Sequence, residues 1–294
     1  MSAIAGTVGI VGVGNMGGGM ACNLLDQGWA VRVCDIDTAK LLEPAARGAV
    51  ATATPALTAA GIDTLIVCVV DAAQTADVLF GQNGAAAAMP AGSAVMLCPT
   101  ISPGDVESLA ARLAALGVRT IDAPMSGGPV RARDGSMSLM VACDHDLIAR
   151  HRCLLDALSA RVFHISVRPG DGARTKLVNN LLAGINLAGA AEAMAMAEAM
   201  GLDLSKMLDV IEQSSGQSWI GSDRMRRAIA GDYAPRAHVT LLEKDTRLAV
   251  EAADAAGFTG PLGAHAARVF EQAHEAGLAG EDDAALFKLL RKCR

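Results

Sequence analysis

The run GIVGVGNMGGGM, residues 9–20, constrains the fold of this chain more than any other feature. It contains Gly12-x-Gly14-x-x-Gly17 in the setting that such spacing needs. A β-branched stretch, TVGIVG (7–12), precedes it, a helical pattern near 16–27 follows, and a second strand, AVRVCD (30–35), closes on Asp35. Gly12 then permits a tight turn, Gly14 lets the backbone approach a pyrophosphate, and Gly17 lets helix and sheet pack closely. The helix opened by Asn15 and Met16 would present free N–H groups and the positive end of its dipole to the phosphates. A carboxylate at Asp35 accepts hydrogen bonds from adenosine ribose hydroxyls and repels a 2′-phosphate. Ile36 and Asp37 follow it rather than an arginine, so NAD is expected over NADP. Asp37 also reads as the cap of a helix beginning near Thr38.

The first half continues as short apolar strands, DTLIVCVV (63–70), AVMLCP (94–99), VRTIDA (118–123), SLMVAC (138–143) and RVFHIS (161–166), with helical segments between most of them. Such alternation predicts a mostly parallel sheet covered on both faces. After RPGDG (168–172) the strand signal stops. Ala/Leu/Met-rich periodic segments take over near 173–200, 203–213, 238–256, 261–276 and 283–291, with Gly201, Gly257 and Gly277 as natural stops. The expected fold is therefore α/β: a Rossmann-type, doubly wound, mostly parallel domain over 1–167, followed by an all-α domain over 168–294.

Composition excludes several functions. A hydrophobic content of 52% in 294 residues supports a sizeable core. A formal net charge of −6 leaves no basic footprint for nucleic acid, and 3% aromatics provide no stacking platform. The cysteines, Cys22, Cys34, Cys68, Cys98, Cys143, Cys153 and Cys293, form no CxxC pair, which argues for free thiols in a reducing cytoplasm. Cys68 and Cys98 read as small buried hydrophobes. The N-terminus lacks a basic n-region and does not read as a signal peptide. The stretch 181–200 is span-length, but Asn186, Glu192 and Glu198 interrupt it, so it reads as a buried helix rather than a membrane span. No HxH or HExxH pair occurs among the six histidines, and no metal site is indicated.

Two further stretches carry chemistry. In GDGARTKLVNNLLAG (170–184), Lys176 and Asn180 stand at i and i+4 and share a helix face. Ser126-Gly127-Gly128, after strand 118–123, offers small residues whose N–H groups can approach a carboxylate; it reads either as an anion-binding nest or as a plain turn. Arg131 and Arg133 follow it and are assigned no role. Ser102 before Pro103 reads as a helix N-cap, and Trp219 as either pocket lining or core.

GIVGVGNMGGGMACNLL, DAPMSGGPVRARDGSM, GDGARTKLVNNLLAG and LLEKDTRLAVEAA together resemble the β-hydroxyacid dehydrogenases, the 3-hydroxyisobutyrate dehydrogenase-like family. VVDAAQ (69–74), SSGQSWIGSDRM (214–225) and GEDDAALFKLL (280–290) are most similar to its L-threonate dehydrogenase branch. The resemblance implies NAD-dependent oxidation of a small hydroxy acid. Lys176 would be the general acid/base, its ammonium disfavoured by burial and by the positive nicotinamide. Ser126, Gly127, Gly128 and Asn180 would bind substrate, Thr100 would lie near both substrate and nicotinamide, and Val70 and Asp71 would meet the cofactor through backbone. Lys244 would reach the cofactor, Asp245 would orient Lys176 or Lys244, and Asn179 would be structural, its side chain pointing elsewhere on the helix. A homodimer or homotetramer built through the helical domain is implied too. Two alternatives stand beside this reading: an NADPH-dependent semialdehyde reductase of the same family, and a non-catalytic NAD-binding redox sensor.

Overall fold

The structure, a computed structural model, describes residues 6–292; Cys293 lies outside the described residues. The chain divides into two compact units, one ending at Lys176 and the other beginning at Leu177.

In the first unit the strands are β1 (Thr7–Val11), β2 (Ala30–Cys34), β3 (Val50–Ala51), β4 (Thr64–Val67), β5 (Ala94–Leu97), β6 (Arg119–Asp122), β7 (Met125–Ser126), β8 (Met137–Ala142) and β9 (Ser159–Ser166). The helices between them are α1 (Asn15–Asp26), α2 (Leu42–Ala46), α3 (Pro55–Ala59), α4 (Ala72–Phe80), α5 (Pro103–Ala115), α6 (Gly128–Asp134), α7 (His145–Arg150) and α8 (Arg152–Leu158). The strands form one sheet in the order β3-β2-β1-β4-β5-β6-β8-β7, with β9 also on β8. β1 to β6 pair in parallel, whereas β8 runs antiparallel to β6 and β7. β4 and β5 are buried along their whole length, as strands covered on both faces must be. β1 sends its connection one way to β2 and has β4 on its other edge. The C-terminal ends of β1 and β4 therefore flank the switch point where doubly wound sheets bind ligands.

The strands expected from sequence all form. β4 stops at Val67 rather than Val70, because Asp71 caps α4 by accepting the Gln74 N–H at 2.8 Å and the chain must leave the sheet to do so. β3 and β7 were not anticipated, since two residues carry no periodicity.

α9 (Asp171–Ala199) runs from the first unit into the second, which continues with α10 (Leu204–Glu212), α11 (Trp219–Ile229), α12 (Val239–Ala255), α13 (Pro261–Ala273) and α14 (Leu286–Leu290). α9 and α12 end just before Gly201 and Gly257, where the N–H groups of Leu202 and Phe258 close back on the Ala197 and Ala253 carbonyls. α11 was not foreseen, its polar sequence hiding a helix that Ser218 caps through the Gly221 N–H at 3.1 Å. The unit division falls inside α9, nine residues beyond the 167/168 composition boundary, because the first turn of α9 is bonded to β6. The Asp122 carboxylate accepts the N–H groups of Gly170 at 2.8 Å and Ala173 at 3.2 Å. Among the described residues no helix is long and apolar enough to cross a membrane.

A buried ion cluster locks α11 to the turn before α14. Arg227 donates to Asp282 at 2.8 Å and Arg224 to Asp283, and Asp282 also takes the backbone N–H groups of Arg236 at 2.8 Å and Ala284 at 3.1 Å. Burial would push Asp282 up, but Arg227 and these N–H groups hold it well below the usual carboxylate range; Asp283 is pushed by burial up to about 7. Removing one partner strands the other charge, so Asp282→Ala is expected to cost about 3–5 kcal/mol in equilibrium urea denaturation.

Candidate functional site

The glycine loop is built by the exclusion of side chains. Gly12 has φ +87°, and a Cβ there would stand 2.5 Å from the Cys68 carbonyl oxygen at the end of β4. A Cβ on Gly17 would stand 1.9 Å from the Gly12 carbonyl oxygen. Loop, helix and neighbouring strand therefore meet backbone to backbone. A Cβ on Gly14 would meet no protein atom within 4 Å. Packing does not demand glycine there, and the position opens onto free space at the start of α1. Gly14 is the N-cap of α1 and supplies no capping side chain, so the first-turn N–H groups gain no side-chain partner from it. Asn15 is exposed and Met16 half-buried at this end. Asp35 accepts the Val13 N–H at 2.8 Å on one carboxylate oxygen and the Asp37 N–H at 2.9 Å on the other. It thus pins the loop from the end of β2, and each oxygen keeps a further lone pair for another donor. Asp37 caps its helix through the Ala39 N–H at 3.1 Å. Open space at Gly14, an anion-favouring helix end and a carboxylate at the close of β2 fit a dinucleotide.

Elsewhere in the first unit, Ser126 ends β7 and Gly127 (φ +137°) is the N-cap of α6. The Ser-Gly-Gly motif is therefore a strand-to-helix junction rather than a free turn. A Cβ on Gly19 would lie 3.1 Å from both the Ala132 Cβ and the Arg133 nitrogen, so α1 and α6, each starting from a glycine loop, pack closely against each other. Arg133 donates to Asp26 at 2.6 Å and ties α6 to α1. Thr100 is half-buried between β5 and α5, and Ser102 caps α5 through the Asp105 N–H at 3.1 Å. Val70 is 51% exposed in the loop after β4, and its N–H donates to the Gln74 side chain at 3.1 Å. That N–H is thus engaged within the chain, and Val70 stands beyond the end of β4 rather than in it. Lys176 is buried at 8% exposure, one helical turn before Asn180 on α9.

In the second unit a polar chain converges on Asp245. The Asn180 amide donates to one of its carboxylate oxygens at 2.6 Å and Lys244 to the other at 2.8 Å. The Asn179 side chain donates to the Asn180 side-chain oxygen at 3.0 Å. It thus turns toward its neighbour instead of away and fixes which way the Asn180 amide faces, leaving one N–H of Asn180 for another acceptor. Gly184 sets the helix spacing that permits this, since a Cβ there would lie 2.5 Å from Thr246 of α12.

Sequence reading missed Asp122, Gly19, Gly172 and Gly184. A carboxylate closing a strand, and glycines inside helical patterns, were the available signals. Trp219 is 59% exposed and is not core. Cys98 is buried, but Cys68 is only partly so; burial raises both thiols, Cys68 to about 12. His151, His164, His238 and His265 pair with backbone carbonyls, and His274 with Glu243. Among the described residues no three His, Cys, Asp or Glu side chains are grouped to hold a metal.

Comparison with known proteins bears on this arrangement. The family model for the NAD binding domain of 6-phosphogluconate dehydrogenase matches residues 7–166, and the model described as NAD-binding of NADP-dependent 3-hydroxyisobutyrate dehydrogenase matches residues 170–290. An L-threonate dehydrogenase of Cupriavidus necator is 39% identical over 282 residues, covering 96% of this chain and 95% of that protein. A 3-hydroxyisobutyrate dehydrogenase of Pseudomonas aeruginosa is 35% identical over 271 residues, 90% of each chain. The crystal structure of a 3-hydroxyisobutyrate dehydrogenase from Salmonella typhimurium is 40% identical, with a TM-score of 0.91 over 97% of this chain and 100% of that one.

Two outcomes are expected. Gly14→Ala should cost little thermal stability, since the added methyl meets no protein atom within 4 Å, yet weaken binding of a reduced nicotinamide cofactor by roughly 10-fold or more in fluorescence titration. Burial pushes Asp122 up to about 6, against the backbone N–H groups of Gly170, Ala173 and Gly172, while an ordinary aspartate titrates near 3.8. Between those values the folded chain holds a proton that the unfolded chain has released. This group's contribution to stability therefore falls as pH rises from about 4 to about 6, by about 3 kcal/mol in all. Denaturation curves of Asp122→Asn should lack that decline.

Proposed function

The chain belongs to the 3-hydroxyisobutyrate dehydrogenase-like family of β-hydroxyacid dehydrogenases, and on that premise we propose that it oxidises a small acid bearing a hydroxyl near its carboxylate, L-threonate foremost, with NAD as cofactor and Lys176 as general acid/base. The observation that carries this reading is the burial of Lys176 on α9, one turn from the oriented Asn180 amide. A lysine used only for solubility would reach into water.

The nicotinamide, when bound, supplies the hydride acceptor. The chain's own residues do the rest. Lys176 takes the hydroxyl proton in oxidation and returns it in reduction. The N–H groups at Gly127 and Gly128 and the Ser126 hydroxyl grip the carboxylate. Asn180 offers its remaining N–H to a substrate oxygen, and Thr100 borders the reacting carbon. Gly12, Gly14, Asn15, Met16 and Gly17 cradle the pyrophosphate. Asp35 receives the ribose hydroxyls and disfavours a 2′-phosphate, which supports NAD; Val70 and Lys244 complete the cofactor contacts. Asp245 holds Lys244 and Asn180 at hydrogen-bond distance. Large apolar side chains exposed along α9 and in the turn after it, Val178 at 73%, Leu182 at 59%, Met196 at 61% and Met200 at 66%, support a homodimer or homotetramer formed through the helical unit. Free thiols support a cytoplasmic setting.

A panel of L-threonate, 3-hydroxyisobutyrate and L-serine, followed at the NADH absorbance, tests the reading. Turnover of L-threonate is expected, and Lys176→Ala should lower kcat about 10²–10⁴-fold while NADH affinity stays within a few-fold. Cofactor binding without turnover of any acid would favour the redox sensor. Tighter binding of NADPH than of NADH would favour the semialdehyde reductase and overturn the assignment of Asp35.

A further inference from the structure

We propose that Asp122 is a positioning residue, whose carboxylate holds the first turn of α9 and thereby fixes where the Lys176 amine stands relative to the Ser126–Gly128 loop. The proposal rests on the role given to Lys176 above.

Asp122 is 1% exposed, and it accepts hydrogen bonds from the backbone N–H groups of Gly170 and Ala173. Burying a carboxylate is costly, and capping a helix does not require it. α3, α4, α5, α10 and α11 are each capped by their own N-cap side chain, Thr54, Asp71, Ser102, Asp203 and Ser218. α9 instead takes its cap from another element, 48 and 51 residues earlier in the chain. A local cap fixes only a helix end, whereas a remote cap also fixes that end against the sheet. The acid at the start of the helix, Asp171, is occupied otherwise: it binds Ser166 at 2.7 Å, Arg168 at 2.8 Å and Arg174 at 3.0 Å.

Two further observations turn the cap into a ruler. A Cβ on Gly172 would lie 2.9 Å from the Asp122 carboxylate and 2.7 Å from the Met140 carbonyl, so the glycine in GDGART lets the start of α9 sit directly on the end of β6 and on Met140 of β8. Asp122 and Ser126 are held in one register along β8, with Asp122 opposite Ala142, Met125 opposite Leu139 and Ser126 opposite Ser138. The same short segment thus carries the proposed carboxylate grip at one end and the anchor of the lysine helix at the other, Lys176 following Ala173 by one turn. Proton transfer depends steeply on such placement.

The test compares wild type, Asp122→Ala, Asp122→Asn and Gly172→Ala in the full chain. It reads hydrogen exchange over residues 168–178, acylation of Lys176 by acetic anhydride, and turnover of L-threonate. Asp122→Ala should speed exchange at Gly170–Ala173 by about 10-fold or more and raise Lys176 acylation. It should also lower kcat by about 10–100-fold while leaving NADH affinity unchanged. Asp122→Asn should recover most of each effect, because the Gly170 and Ala173 bonds share one oxygen that an amide can supply. Gly172→Ala, which leaves the carboxylate but pushes the helix off it, should reproduce the loss of kcat and decides the matter if Asp122→Ala does not fold. Unchanged exchange in a folded Asp122→Ala, or loosened amides with kcat and Lys176 acylation at the wild-type level, would overturn the proposal. A wild type inactive on every acid would instead sink the functional reading, with exchange and acylation still deciding the positioning.

Discussion

The first unit depends on an atom that cannot be present. A β-carbon at Gly17 would overlap the Gly12 carbonyl oxygen, and one at Gly12 would collide with the carbonyl of Cys68. Because those atoms are missing, the end of β1, the start of α1 and the end of β4 close to backbone contact, and the N-terminus of α1 opens onto free space at Gly14. Asp35 stiffens the same loop from β2 with two backbone hydrogen bonds. Gly19 carries the effect further, bringing α1 against α6, which begins at the Ser-Gly-Gly junction. One string of glycines thus sets both an anion-favouring helix end and the placement of a second small-residue loop.

Polar groups are buried where geometry has to be unique. The helical unit buries Arg227 against Asp282 and Asn180 against Asp245, and the sheet unit buries Asp122 against a helix start. Each is dearer than an apolar contact of equal size, since desolvation opposes it. Apolar packing tolerates slippage, whereas a carboxylate that must find two or three N–H groups at hydrogen-bond distance does not. The Asn179–Asn180–Asp245–Lys244 chain shows the result: every amide orientation along it is determined by its neighbour.

How far the sequence reads depends on the range of the interaction. β1, β2, β4, β5, β6, β8 and β9 were legible as apolar runs, as were the helices other than α11 in the second half, because burial periodicity is local. Caps at Asp37 and Ser102 were legible for the same reason, each acting within three residues. Asp122 read only as the end of a strand, since its partners lie 48 and 51 residues away. Gly184 read as a residue tolerated in a helix, and only the approach of Thr246 explains it. Val70 read as the end of a strand, and only Asp71 and Gln74 show that the chain has already left the sheet.

By itself the sequence determined the alternation of strands and helices, the glycine spacing with its closing acid, and the one-turn separation of Lys176 and Asn180 on one helix face. These are properties of neighbours, set by backbone geometry and side-chain periodicity. Tertiary structure alone decided that α9 begins on a carboxylate from β6, that Asn180 faces Asp245, and that α1 lies against α6 through Gly19. Those contacts join residues tens to more than a hundred positions apart. Their geometry arises only when packing has brought the elements together, because a hydrogen bond or a steric overlap acts over a few ångströms of space, whatever the distance along the chain.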